Sequence, residues 1–119
     1  MDERILKWLF DIKLAIIEIE DYFTEYPKDF LKYRENVMLK RAVERDLEII
    51  GEAMNRILAR DGDFQIKITN AKLIVGLRNQ VIHAYDNISD ESIWSILINH
   101  LPKLKSEVDN LLEKNLPFN

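Results

Sequence analysis

Apolar residues recur along this chain at alternating steps of four and three, and this period constrains the fold more than any other feature. The first series is Ile5, Leu9, Ile12, Ile16, Ile19 and Phe23. An α-helix has about 3.6 residues per turn, so this spacing places the series on one face. It predicts a helix over residues 3–25, which Pro27 closes because proline disfavours helical backbone at the residue before it.

A second apolar series follows Asn36, a residue type that caps helix N-termini. It comprises Leu39, Val43, Leu47, Ile50, Met54 and Ile57, and the turn signal Asp61-Gly62-Asp63 ends it. Before Asn36, the segment with Phe30, Leu31 and Tyr33 predicts a short connecting helix. Gly51 lies inside the second long helix, where glycine costs about 1 kcal/mol relative to alanine. We therefore expect another helix to pack closely there.

Two more helices are predicted in the second half of the chain. The third begins near Thr69 or Asn70 and runs to about Tyr85. Ser89 caps the fourth, whose first turn holds Asp90 and Glu91. Pro102 lies inside that last helix and removes one backbone donor, so a bend is expected there.

The whole pattern indicates an all-α protein. The chain contains only three glycines and three prolines, few of the residues that interrupt helices. Its length of 119 residues and its hydrophobic content of 47% suit a single domain over residues 1–119. Short connections favour an up-and-down four-helix bundle with a short connecting helix. The absence of cysteine excludes thiol chemistry and fits a cytoplasmic protein. Neither a signal peptide nor a membrane span is expected.

The formal net charge is −4 and the pI is about 5.2, so the overall field repels nucleic acid. Any RNA contact must therefore be local, and an acidic surface also suits a protein partner. Local basic residues are available for such a contact, although most charged runs on helices are simply solvated faces. They are Lys32, Arg34, Lys40, Arg41 and Arg45.

The stretch from Arg78 to Tyr85 places polar groups within an apolar helix. Arg78 can grip phosphate through a planar fork of donors, and the imidazole of His83 can transfer protons near neutral pH. Together these groups suggest phosphodiester chemistry. Apolar residues flank them on both sides of the helix, whereas a small bundle covers only one side. We therefore expect a two-fold homodimer that brings two copies of Arg78 and His83 into one cleft.

Such a dimer would supply what RNA cleavage through the 2′-hydroxyl needs: a base, an acid and positive charge at the phosphorus. The alternative, that Arg78 and His83 are ordinary interface groups, stays open. Glu48 and Glu52 lie one turn apart on the second helix and could orient either residue, or could lie on an exposed face. No metal site is expected, because Asp86, Asp90 and His83 lack a recognised ligand spacing.

The segment from Gly76 to Tyr85 resembles the signature of the HepT-like branch of the HEPN proteins. The stretches from Ala42 to Ala53 and from Ile93 to Leu104 are also similar to that family, so the resemblance covers nearly the whole chain. It implies a dimeric, metal-independent ribonuclease that needs no cofactor. It also implies a toxin whose antitoxin is a minimal (MNT-type) nucleotidyltransferase.

The resemblance assigns roles to individual residues. Arg78 would hold the scissile phosphate, Asn79 would orient it, and His83 would move the proton. Tyr85 would receive AMP from the antitoxin, and Gly76 would support the site. The alternative function is a non-catalytic dimeric helical module that binds a nucleotide or a nucleotidyltransferase partner, since family folds can outlast their activities.

Overall fold

The computed structural model describes residues 1–77 and 90–115. Within these two ranges all regular structure is helical, which confirms the predicted all-α class. The elements are α1 (Glu3–Glu25), α2 (Phe30–Glu35), α3 (Val37–Arg60), a 3-10 helix (Gly62–Lys67), α4 (Ala71–Val75), α5 (Asp90–Asn99) and α6 (Leu101–Asn115).

The two longest helices begin at capping side chains. Asp2 accepts a hydrogen bond from the backbone N–H of Arg4 at 2.7 Å, and Asn36 accepts one from Leu39 at 3.0 Å. Each carboxyl or amide oxygen satisfies a backbone donor that has no partner within its helix. The predicted helix over 3–25, the short connecting helix and the cap at Asn36 are thereby confirmed.

Polar contacts at both ends show that α1 and α3 are antiparallel. Arg60 at the end of α3 donates to Asp2 beside the start of α1, with 2.7 Å between Nε and Oδ2. Tyr22, near the end of α1, donates to Asp46 in the first half of α3, also at 2.7 Å.

The last helix, α6, is antiparallel to α1 as well. Lys13 pairs with Asp109 at 3.0 Å, and Lys105 pairs with Glu20 at 3.0 Å. Helix α1 is thus antiparallel to both α3 and α6, and those two helices run in the same direction. The predicted four-helix bundle stays a prediction, because the helix expected to continue to Tyr85 extends beyond the described residues.

The predicted apolar stripes of α1 and α3 form the centre of the core. Side chains that are completely buried come from both helices, and they include Leu9, Ile12, Val43, Leu47, Ile50, Met54 and Ile57. Gly51 is also buried. At about 25 cal/mol for each Å² of apolar surface removed from water, such side chains each contribute roughly 1.5–3 kcal/mol.

The predicted bend at Pro102 is instead a break between two helices. Asn99 ends α5, His100 lies in a turn, and Leu101 begins α6. Pro102 lacks the N–H that would continue the helical hydrogen-bond pattern, and in the first turn of a new helix that loss is tolerated.

The segment after Asp61 contains an element that the sequence analysis did not predict. The turn signal leads into the 3-10 helix, where Phe64 is only 1% exposed. Asn70 then precedes α4 with a φ of 59°, a left-handed conformation that asparagine adopts more readily than most residues. The predicted start of the third helix near Asn70 is confirmed, whereas Ser89 lies outside the described residues.

None of the helices in residues 1–77 and 90–115 combines the length and apolar character needed to cross a membrane.

Candidate functional site

The signature is the segment of residues 76–85, and the structure describes only its first two residues. Arg78, Asn79, His83 and Tyr85 lie outside the described residues, so their predicted roles and their predicted meeting across a dimer stay predictions.

Helix α4 fixes the position at which the signature begins. Ile74 and Leu77 are each 1% exposed, so both side chains are held in the core. Leu77 immediately precedes Arg78 in the chain. The start of the signature is therefore anchored by apolar packing against the rest of the fold.

Gly76 does not require the conformational freedom that only glycine has. Its φ of −70° and ψ of −11° are right-handed helical values, and its N–H bonds to the carbonyl of Lys72 at 3.1 Å. A Cβ at this position would lie 3.3 Å from the carbonyl oxygen of Leu73, which is a tight contact. The lack of a side chain thus matters here mainly for space, and the supporting role of Gly76 stays a prediction.

Glu48 and Glu52 border a groove on α1 and α3, which we call the α1–α3 groove. Its volume is about 350 Å³. It is lined by Trp8, Asp11, Arg45, Glu48, Ile49, Glu52, Ala53 and Arg56. Three carboxylates and two guanidinium groups therefore share a surface that also has an apolar floor. Such a surface can position a cationic or hydrogen-bonding side chain more readily than a bare phosphate.

The two glutamates are less exposed than the alternative of a fully exposed helix face would require. Both are half-buried. Glu52 also pairs with Arg56 one turn later, with 3.4 Å between Oε1 and Nε. Whether either glutamate reaches Arg78 or His83 stays a prediction. Trp8 lines the same groove.

A buried carboxyl group on α3 was missed by the sequence analysis. Asp46 is 1% exposed and accepts the hydrogen bond from Tyr22. Burial raises the pKa of Asp46 to about 7, and a hydrogen bond shared with Glu18 adds to the increase. The signal was present in the spacing, because Asp46 follows Val43 by three residues and precedes Ile50 by four.

The start of α5 is tied to the start of α3 by an ion pair. Lys40 lies 3.3 Å from Oδ2 of Asp90, the first residue of α5, and both side chains are largely buried. Nearby, Glu44 is 6% exposed and accepts two hydrogen bonds of 2.8 Å from Arg41. Two of the predicted local basic residues thus take part in ion pairs that hold the fold.

Among residues 1–77 and 90–115, no group of three or more histidine, aspartate or glutamate side chains is arranged to hold a metal ion.

Comparisons of this chain with known proteins indicate a single class of protein. The family model described as "Ribonuclease HepT-like" matches residues 12–111. The signature segment and most of the helical fold therefore lie within one matched region. This chain belongs to the HepT-like ribonuclease family.

Similar proteins carry names of the same kind. "Putative RNase MJ1380" of Methanocaldococcus jannaschii is 39% identical over 112 residues, which cover 92% of this chain and 98% of that protein. "Putative RNase TTE0752" of Caldanaerobacter subterraneus subsp. tengcongensis is 33% identical over 73% of this chain and 74% of its own length. "Putative RNase MJ0127" of M. jannaschii is 33% identical over 89% of this chain and 85% of its own length. No solved structure matches the chain at a significant level.

Proposed function

We propose that this protein is the toxin endoribonuclease of a HEPN/MNT toxin–antitoxin pair and acts in the cytoplasm. It cuts RNA without a metal ion at a composite site formed by two copies of the chain. The observation that supports this proposal best is the Arg78, His83 and Tyr85 signature, which lies inside the region matched by the HepT-like family.

The proposed chemistry uses the RNA's own 2′-hydroxyl as the nucleophile. One copy of His83 takes the proton of the 2′-hydroxyl while the 2′-oxygen bonds to phosphorus. The bond from phosphorus to the 5′-oxygen breaks, and the second copy of His83 protonates that oxygen. The products are a 2′,3′-cyclic phosphate end and a 5′-hydroxyl end.

Arg78 and Asn79 act on the phosphate in this mechanism. The guanidinium of Arg78 donates to two phosphate oxygens and stabilises the negative charge that gathers at phosphorus. Asn79 orients the same group through its amide. Because each chain has one His83, a dimer is what supplies both an acid and a base.

The proposed regulation acts on Tyr85. The nucleotidyltransferase antitoxin moves AMP from ATP to the phenolic oxygen of Tyr85, and pyrophosphate leaves. The attached phosphate is negatively charged and occupies the anion site that RNA would need. Cleavage then stops because of charge repulsion and bulk.

Cleavage of RNA in excess chelator tests the catalytic part. Arg78→Ala and His83→Ala are each expected to lower the rate by at least about 100-fold, because each removes a group that acts in the transition state. Arg4→Ala and His100→Ala are matched controls outside the signature and should cleave normally. Equal cleavage by all variants would remove Arg78 and His83 from the mechanism.

Intact mass after incubation with the antitoxin and ATP tests the regulatory part. The wild-type chain should gain one adenylyl group, and Tyr85→Phe should gain none. A gain that persists in Tyr85→Phe would place the modification elsewhere. Sedimentation equilibrium tests the composite site, since an active protein that stays monomeric would contradict it.

A further inference from the structure

An aromatic cluster lies where α2 and the end of α1 meet α5. The ring of Trp94 lies 5.8 Å from that of Phe23, 5.9 Å from that of Phe30 and 5.2 Å from that of Tyr33. Tyr33 is completely buried, whereas Trp94 and the two phenylalanines are half-buried. The cluster therefore joins the core to a surface that a ligand can reach.

Two exposed cations lie on the outer rings of this cluster. Nζ of Lys28 is 5.9 Å from the ring centre of Phe23, and Cζ of Arg34 is 5.8 Å from that of Phe30. Such positions allow cation–π attraction and leave the charge available to solvent. In a protein of net charge −4, these two residues place positive charge directly beside aromatic surface.

A groove of about 420 Å³ opens beside the cluster, and we call it the α2–α5 groove. It is lined by Phe30, Glu91, Trp94, Ser95, Ile98 and Asn99. One side is aromatic and aliphatic. The polar side holds the amide of Asn99, which donates to Ser95 Oγ at 3.1 Å, and the carboxylate of Glu91.

We propose that the α2–α5 groove binds an unstacked base of single-stranded RNA, next to the nucleotides that are cut. The choice of RNA as the ligand rests on the proposed function. Aromatic rings stack on bases, Asn99 and Glu91 offer hydrogen-bonding groups to a base edge, and Arg34 and Lys28 attract the adjoining phosphates.

The position of the groove along the chain supports the same ligand. Asp90, the first residue of α5, follows Tyr85 by five residues. An extended chain advances at most about 3.6 Å per residue, so α5 begins within about 18 Å of Tyr85. An RNA strand held at the signature can therefore extend to the groove. A helical protein ligand would gain little from the cations and the carboxylate that border it.

Binding of an uncleavable RNA tests this proposal separately from catalysis. The probe is a single-stranded 2′-O-methyl oligonucleotide, which lacks the nucleophile, and binding is measured in excess chelator at several salt concentrations. The chain has two tryptophans, so the substitution Trp8→Phe leaves Trp94 as the sole tryptophan. The fluorescence of Trp94 should be quenched as the oligonucleotide binds, and duplex RNA of the same sequence should compete poorly.

Two variants separate stacking from charge. Stacking contributes about 1–3 kcal/mol per base, so Phe30→Leu should weaken binding by roughly 5- to 150-fold and leave the salt dependence unchanged. Arg34→Gln should reduce the slope of log affinity against log salt by about 0.7, the value for one phosphate contact in single strands. Phe10→Leu and Arg4→Gln are the matched controls, and circular dichroism checks that each variant is folded.

The outcomes distinguish this proposal from the proposed function. If the oligonucleotide binds as described but RNA is not cleaved, the groove proposal stands and the ribonuclease proposal fails. If RNA is cleaved but Phe30→Leu and Arg34→Gln bind like wild type, the groove proposal is overturned. It is also overturned if these variants change only dimerisation or antitoxin binding, or if the control variants weaken binding equally.

Discussion

The hydroxyl of Tyr22 on α1 donates a 2.7 Å hydrogen bond to Oδ2 of Asp46 on α3. This contact joins the two longest helices inside their interface, where Asp46 is almost inaccessible to water. Burial and the neighbouring carboxyl of Glu18 raise the pKa of Asp46 to about 7, although the bond from Tyr22 and the charge of Arg45 oppose the increase. Burial and the bond to Asp46 raise the pKa of Tyr22 in turn.

Stability should therefore fall as the pH rises between about 4 and 7. An aspartate with a raised pKa binds its proton more tightly in the folded state, so its contribution is complete below the unfolded pKa and is lost as pH passes the folded pKa. The loss can reach about 1.4 kcal/mol per pH unit within that window. Urea unfolding at pH 4.5, 6 and 8 measures it.

The variant Asp46→Asn identifies the source of this pH dependence. The amide keeps the shape and can still accept from Tyr22, but it does not titrate. The fall in the free energy of unfolding should therefore be smaller in the variant than in wild type. An unchanged profile would mean that Asp46 ionises normally. Asp11→Asn, on a more exposed position of α1, is the matched control.

Removing side-chain volume from the α1–α3 interface should destabilise the fold strongly. Leu47 is completely buried, and truncation leaves a cavity that the packed helices cannot fill. Leu47→Ala should cost about 2–5 kcal/mol in the free energy of unfolding. Leu14→Ala is the control, because Leu14 is 58% exposed, and it should change stability by less than about 0.5 kcal/mol. Equal effects in thermal unfolding would contradict the described core.

The cap at Asn36 should contribute measurably to α3. Asn36→Ala removes the acceptor of the Leu39 N–H and should cost about 1 kcal/mol, whereas Asn36→Ser keeps an acceptor and should cost less. Chemical denaturation measures both differences. If alanine and serine were equivalent at this position, the 3.0 Å hydrogen bond would not stabilise the helix.

The α1–α3 groove gives a prediction that depends on the proposed function. If Glu52 positions His83, its charge raises the pKa of the imidazole, and Glu52→Gln should shift the acidic limb of the pH–rate profile downward. The same variant should lower kcat by up to about 100-fold through misplacement of the reacting groups. Glu48→Gln tests the other glutamate in the same way.

A purely structural role would leave that pH profile in place. Glu35→Gln is the control, because Glu35 is exposed at the end of α2. If Glu52→Gln and Glu48→Gln alter only the melting temperature, neither glutamate is a positioning residue, and the groove has another role.

Local sequence determined the helices. The apolar period of four and three predicted α1 and α3 closely, and Asp2 and Asn36 lie at their N-termini, where a cap can form. Apolar spacing and capping residues are reliable signals because both act over one or two turns of the backbone. The resemblance to the HepT-like family also came from sequence, and the family match over residues 12–111 confirms it. Pro102 was recognised as a disruption, although the local signal did not distinguish a bend from the break that occurs.

Tertiary structure decided which charges are buried and which surfaces are open. The spacing of Asp46 from Val43 and Ile50 places it on the apolar face of α3. Its pKa of about 7, however, arises because α1 covers it and brings Tyr22 and Glu18 beside it. The α2–α5 groove likewise combines Phe30 with Trp94, which are 64 residues apart in the sequence. Helical period depends on neighbours along the chain, whereas electrostatics and surface shape depend on neighbours in space, which only the packed fold brings together.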